Sequence, residues 1–411
     1  MNNVEELIKQ LCPDGVEKKT LGQLGKFYGG LTGKSKDDFT DGNAKFITYR
    51  NVYSNPALDI HPSETVKIAD GEKQRTLQYG DIVFTGSSET PDECGFTSVV
   101  TEEPDENLYL NSFCFFLRME NTDILNPDYA KHLFRCSDLR KQIGKTASGV
   151  TRFNVSKKLM EKVTIPIPPL EVQSEIVRIL DNFTELTAEL TAELTARKKQ
   201  YEYYRDNILE KSDYPYKKLG ELCKFVRGPF GGALKKECFQ KEGFAVYEQQ
   251  HAIYNKFDFR YYISEEKFNE LKRFEVAAND LIMSCSGTMG KIAIIPPNLP
   301  RGIINQALLK LTANADVNVK YLKYCFESTI SKQMNDDARG GAIKNVASVD
   351  VLKKIEIKLP PLSEQQRIVD ILDRFNTLCN DISNGLPAEI EARQKQYEYY
   401  RDKLLTFKEL S

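Results

Sequence analysis

The chain has 411 residues, of which 41% are hydrophobic and 28% charged, with a net charge of −2, a composition that excludes a disordered or fibrous protein and leaves room for two or more buried cores. No apolar run approaches the ~18–20 residues that span a bilayer, and the opening MNNVEELIKQ has neither the basic nor the apolar region of a signal peptide. Nine scattered cysteines without a C-x-x-C pair, and His61, His132 and His251 without metal-pair spacing, argue against a disulfide framework or a metal site and for a reducing, cytoplasmic setting.

In chain order, a first variable module of mixed α/β character opens at KTLGQLGKF (19–27). Strand-like runs are expected at 46–48, 82–85 and 113–117, and a helix at about 127–143. Ile167-Pro168-Pro169-Leu170 then introduces EVQSEIVRILDNF, ending at Phe183. Proline bars helix before it and favours helix after it, which marks a sharp start. The apolar stripe Ile176, Ile179, Leu180, Phe183, Leu186, Leu190, Leu194, Tyr201, Tyr204 and Ile208 has the three-and-four spacing of a helix buried on one face. About 40 residues at 1.5 Å each make a rod of roughly 60 Å. Within it, 187–190 and 191–194 both read TAEL. Ala, Glu and Leu are good helix formers, and one tetrapeptide more or less would move the flanks by about 6 Å and turn them by about 40°. A chance amphipathic repeat is the plainer alternative. The heptapeptide QYEYYRD follows at 200–206.

The pattern then repeats. KKLGELCKF (217–225) opens a second variable module, with strand-like runs at 244–247, 281–284 and 307–311 and a helix at about 319–335. Leu359-Pro360-Pro361-Leu362 introduces SEQQRIVDILDRF, ending at Phe375, and QYEYYRD returns at 396–402. The second stripe is Ile368, Ile371, Leu372, Phe375, Leu378, Ile382, Leu386, Ile390, Tyr397, Tyr400 and Leu404, interrupted by Asn384-Gly385-Leu386-Pro387, where a break is expected. A duplicated block of this length implies a pseudo-twofold internal repeat. The expected fold is two α/β (α+β) modules joined by two long helices that pack as an antiparallel coiled coil. The expected division is 1–165 (first module with an N-terminal helix), 166–213 (central helix with the TAEL repeats), 214–358 (second module) and 359–411 (C-terminal helix). Packing across the helices is assigned to Ile176, Leu180, Phe183, Leu190, Tyr204, Ile368, Leu372, Phe375 and Tyr400.

Charge separates the two modules. Residues 214–358 hold 23 basic against 16 acidic side chains, whereas residues 17–165 hold 20 against 21. A positive field suits phosphate contact, and a solvated surface would have the same composition.

Motifs of catalytic chemistry are sparse in the chain. GGLTGKS (29–35) lacks the first glycine of a phosphate-binding loop, since Tyr28 occupies that position. A basic turn with Lys34 and Lys36 toward DNA phosphate is the better reading, against a plain solvated loop. There is no Asn-Pro-Pro-Tyr-like tetrapeptide, no G-x-G-x-x-G after a strand, no G-x-S-x-G and no H-E-x-x-H. The matched loops say more. Candidate DNA contacts in the first module are Lys34, Lys36, Tyr49, Arg50, Asn51, Ser87, Ser88, Thr151 and Arg152. In the second they are Arg227, Phe230, Lys235, Gln249, Gln250, Ser286, Thr288, Arg339 and Lys344. Arg, Asn, Gln and Ser read base edges, Lys and Arg neutralise phosphates, and glycine in these loops serves either turns or close approach. The tyrosines of QYEYYRD offer a base-stacking cluster, but their helical spacing favours packing.

The two LPPL/IPPL helix starts, the paired QYEYYRD blocks and LCPDGVEKKTLGQL (11–24) resemble the specificity (S, HsdS) subunit of type I restriction–modification systems over the whole chain, and the TAEL tract is similar to the variable-copy repeat of the type IC group. The resemblance implies two target recognition domains, each reading one half of a bipartite, asymmetric site in double-stranded DNA. The helices would set half-site spacing and dock two methyltransferase (M) subunits, with two restriction (R) subunits in the full complex. It implies a non-catalytic chain without cofactors, the S-adenosylmethionine and ATP chemistry lying on the partners. The alternatives are a coiled-coil scaffold with no DNA role and a self-contained DNA-modifying enzyme.

Overall fold

A computed structural model of the chain describes residues 2–210, 213–230, 232–286, 288, 290–331, 349–380 and 385–410. The fold divides into two compact units, Met1–Thr191 with Glu389–Ser411, and Ala192–Ala388. Each has its own hydrophobic cores. No helix among the described residues is long and apolar enough to cross a membrane.

The first unit is built on a four-stranded antiparallel sheet in the order Gly25–Gly29, Cys114–Met119, Ile82–Thr85, Thr97–Val99. Its central strands read as unbroken apolar runs because both faces are covered. Ile82, Phe84, Phe115 and Leu117 enter one core, and Val83, Cys114 and Phe116 enter the other. A second sheet orders Thr65–Val66, Ala44–Ile47 and Leu108–Leu110, with the last two parallel. The second unit repeats both sheets. Its four strands are Cys223–Arg227, Leu308–Ala313, Leu281–Ser284 and Ile292–Ile294, and its three are Tyr262–Ile263, Phe244–Tyr247 and Gly302–Ile304. The strands expected at 82–85, 244–247 and 281–284 form over those residues, while the others shift by one or two positions.

The helix expected over 127–143 is two helices, Pro127–Leu133 and Ser137–Gly144. Asn126 caps the first through its side chain, with proline at the start. The break has a cause at each side. Arg135 turns out of the helix to donate to the carbonyls of Thr97, Val52 and Tyr53. Asp402 accepts the Ser137 N–H at 3.0 Å, and the Ser137 hydroxyl as well, so it caps the restart. In the second unit Val319–Cys325 instead widens into a π-turn, Phe326–Ile330, where Asp206 accepts from Ser328 Oγ at 2.5 Å. Asp206 and Asp402 are the last residues of the two QYEYYRD blocks.

The central helix runs from Leu170 to Glu210, and the C-terminal segment forms two helices, Leu362–Asn380 and Leu386–Leu404. Gly385, with φ +84°, stands directly before the second, within the stretch where a break is expected. In the first unit Phe183 stacks on Tyr400, centroids 5.3 Å apart. In the second, Tyr204 stacks on Phe375 at 6.4 Å. Within each unit, then, one aromatic of the central helix meets one aromatic of the C-terminal helices. Ile176, Leu180 and Leu372 are fully buried and Ile368 nearly so, as their stripe positions require. Leu190 is only half-buried, and Tyr204 is 44% exposed, so its ring packs at the rim and not in a core. Tyr201 and Tyr397 are the buried tyrosines of the blocks. Within the first unit, the Val16 N–H donates to the Lys408 carbonyl at 2.8 Å and Lys18 pairs with Glu409 at 3.1 Å, tying the entry of the module to the end of the last helix.

Candidate nucleic-acid interface

In the first unit, Thr48 caps the short helix Tyr49–Ser54 by accepting the Asn51 N–H. The helix start is then fastened to the sheet. The Tyr49 hydroxyl donates to the Ser87 carbonyl at 2.8 Å, and burial pushes the Tyr49 phenol above its usual pKa. Ser87–Ser88 forms a short strand against Phe153–Val155. From the loop before that strand, Arg152 donates from Nε to Ser87 Oγ at 3.0 Å. Its guanidinium lies 5.8 Å from the centroid of Phe113. Phe113 is 59% exposed, yet its backbone is fixed: its N–H donates to Asn111 Oδ1 at 2.7 Å and its carbonyl accepts from Gly86 N–H at 2.8 Å. A Cβ on Gly86 would stand 2.6 Å from that carbonyl, so only glycine permits the approach.

Tyr49, Ser87 and Arg152, widely spaced in sequence, therefore form one cluster. Phe113 belongs to it as well, although the sequence places it in a strand-like run and not among the candidate contacts. Arg50, Thr151 and Lys36 are exposed. Ser88 donates to Glu93 at 3.1 Å. Two expected contacts are used inside the fold. Lys34 pairs with Glu72 at 2.6 Å and donates to the Lys67 carbonyl at 2.5 Å, with its side chain 9% exposed, and the ammonium holds Glu72 down at about 2. The Lys34 ammonium is thus already engaged within the first unit. Asn51 braces the following loop, donating to the Asp59 carbonyl at 2.8 Å and accepting from Asn55 Nδ2 at 2.9 Å and Asp59 N–H at 3.2 Å.

The second unit rebuilds the frame with other side chains. Gln249 opens the short helix Gln249–Tyr254 and accepts from Ser286 Oγ at 2.9 Å, the counterpart of the Tyr49–Ser87 contact. His251, fully buried, accepts the Glu248 N–H at Nδ1 (2.9 Å), and its Nε2 faces the Asp258 carbonyl at 3.0 Å, which assigns the proton to Nε2. Gln250 lies 3.4 Å from both Glu248 and the Asp258 carbonyl. Arg227 ends its strand exposed, and the next residue, Gly228, abuts the Asn305 carbonyl so closely that a Cβ would fall 1.9 Å from it. Gly30 makes the same approach to Asn111 in the first unit. Phe230 is 94% exposed, and Lys235 and Thr288 are exposed. Arg339 and Lys344 lie outside the described residues. Each unit thus holds a rigid, hydrogen-bonded loop base with donors, guanidinium groups and an exposed phenylalanine facing outward, the inventory that contacts base edges and phosphates. Among the described residues no cluster of His, Cys, Asp and Glu could hold a metal ion.

The family described as the type I restriction modification DNA specificity domain matches residues 13–197 and again residues 211–392. The chain belongs to this family. Each match takes in one variable module and most of the helical segment that follows it. The EcoR124I/EcoR124II specificity subunit of Escherichia coli is 39% identical over 266 residues, covering 62% of this chain and 65% of that protein, just under two thirds of its length. A putative type I restriction enzyme specificity subunit of Haemophilus influenzae is 38% identical over 278 residues, covering 63% of this chain and 68% of its own. A chain from a structure described as the basis of complex assembly and conformational transition of the type I restriction–modification system aligns with a TM-score of 0.67 at 16% identity. It covers 95% of this chain and 97% of its own, a likeness of fold.

Proposed function

We propose that the chain is the DNA-recognition subunit of a type I restriction–modification enzyme, each variable module reading one half of a bipartite, asymmetric site. The observation that carries this is the paired loop frame. Tyr49 with Ser87 and Gln249 with Ser286 occupy matched places on matched scaffolds, so the backbone is kept while the reading groups differ. Two like scaffolds with unlike reading surfaces are what an asymmetric split site requires. The basic excess of residues 214–358 adds a phosphate-attracting field to the second module.

The subunit is non-catalytic and binds no cofactor of its own. Two methyltransferase subunits dock on the helices, and two restriction subunits complete the cytoplasmic enzyme. The half-site spacing is set by the central helix, into which the TAEL tract is built as continuous helix. Single-molecule sequencing of modified bases in the host genome tests the reading. It is expected to find one methylated motif of two unlike short sequences separated by a fixed, unread gap. A host whose modified motifs are all continuous would overturn it.

A further inference from the structure

We infer that Arg152 reads a guanine in the half-site bound by the first module, held for that task by Ser87 and Phe113. This rests on the DNA-recognition reading above and adds to it a base and a residue. Three exposed arginines are candidate contacts among the described residues, Arg50, Arg152 and Arg227, and they are not alike. Arg152 alone of the three has its Nε anchored, on Ser87 Oγ at 3.0 Å, and an aromatic ring beside its guanidinium, Phe113 at 5.8 Å. The anchor itself is firm: Ser87 is 6% exposed, lies in a strand pair, and its carbonyl is held by Tyr49. The backbone that carries the ring is held as well, the Phe113 N–H by Asn111 and its carbonyl by Gly86.

With Nε engaged by Ser87 and the Phe113 ring beside the guanidinium, Nη1 and Nη2 are left without a hydrogen-bond partner among the described residues. A planar, pre-oriented fork matches the O6 and N7 acceptors of guanine in the major groove, and the ordering entropy is spent before DNA arrives. A phosphate contact needs no such constraint and is served by the unanchored Arg50. An exposed phenylalanine with Val150, 94% exposed, at the neighbouring loop tip also costs less if both are covered by DNA on binding. Ser87 and Phe113 are positioning residues.

The test uses the full chain assembled with its partner methyltransferase subunits and a DNA library randomised across both half-sites. Arg152→Ala is expected to lose a guanine preference at one position of one half-site, by roughly 5- to 150-fold, with the other half-site unchanged. Arg152→Lys keeps the charge but not the fork and is expected to lose the same preference. Phe113→Ala and Ser87→Ala are expected to weaken discrimination at that position alone. An even loss across all sequences that Arg152→Lys restores would make Arg152 a phosphate contact and overturn the inference, as would an unchanged preference. If Arg152→Ala does not fold, Arg152→Lys decides. Failure of the unsubstituted complex to select any bipartite site would instead overturn the functional reading beneath it.

Discussion

Gln173 and Gln365 make the same three hydrogen bonds in the two units. Gln173 Oε1 accepts the Asn126 N–H at 2.8 Å, and its Nε2 donates to the carbonyls of Ile124 (2.9 Å) and Pro168 (2.8 Å). Gln365 Oε1 accepts the Asn318 N–H at 2.7 Å, and its Nε2 donates to the carbonyls of Asp316 (3.0 Å) and Pro360 (2.8 Å). Both side chains are fully buried. Each amide ties the capped start of a module helix to the Pro-Pro turn and the long helix behind it, so module and rod are one rigid piece within each unit. Gln173→Ala or Gln365→Ala leaves three backbone groups without partners and is expected to cost about 2–4 kcal/mol. Denaturant unfolding checks this. A loss within error of zero would show that the glutamines are passengers.

The duplicated blocks made this much of the fold legible. LPPL and IPPL start the helices, and the apolar stripes bury Ile176, Leu180, Ile368 and Leu372 as their spacing requires. The site was legible only in part, because sequence gives residue types and loop positions but not partners. Lys34 is spent on Glu72 and Asn51 on Asp59, pairings made by chain folding and not by motif. The helix break at 134–136 depends on Asp402, far along the chain. Phe113 reads as core in the sequence because an apolar residue in a strand-like run is ordinarily buried. Only the turn made by Asn111 and Gly86 brings it to the surface.

A pH-dependent joint is built into the first unit. His132 is buried between Asp181 Oδ1 (2.8 Å, on Nε2) and the Tyr397 hydroxyl (2.9 Å, on Nδ1). Lys131 pairs with Asp181 and Asp128 beside it. Burial lowers the His132 pKa and outweighs the carboxylate, so the ring is neutral, donating to Asp181 and accepting from Tyr397. Burial alone would raise Asp181, but the hydrogen bonds from His132 and Lys131 hold it below the usual range. The His132 contribution to stability is complete above the unfolded histidine pKa of about 6.5 and falls away as pH drops below it. The matched second-unit contact is Tyr324 on Asp373 at 2.6 Å, with no histidine. The thermal midpoint is therefore expected to fall between pH 7 and pH 5, and His132→Gln is expected to flatten that slope. An equal slope in both proteins would contradict it.

Exposed and internally paired cations should separate in DNA binding. Arg50→Ala and Arg227→Ala are each expected to weaken binding evenly across sequences and to reduce the salt dependence by about one phosphate contact. Lys34→Ala is expected to lower stability while leaving the salt slope unchanged, because its ammonium is held by Glu72. Titrations over a range of salt concentrations measure both. A reduced slope for Lys34→Ala would return it to the DNA surface.

The TAEL tract offers a change of length without a change of reading group. The leucines Leu190 and Leu194 are half-buried and the other tract residues mostly exposed, so removal of Thr191–Leu194 shortens the helix by about 6 Å and empties no core. The deletion is expected to alter the gap between half-sites and keep the bases in each. Loss of methylation at every spacing would make the tract ordinary packing.

Exchange of residues 17–165 for the corresponding module of another family member, followed by sequencing of methylated bases in cells carrying the partner subunits, tests the central claim most directly. One half of the recognised site is expected to change while the other half is retained. An unchanged methylation pattern, or simultaneous change of both halves, would contradict it.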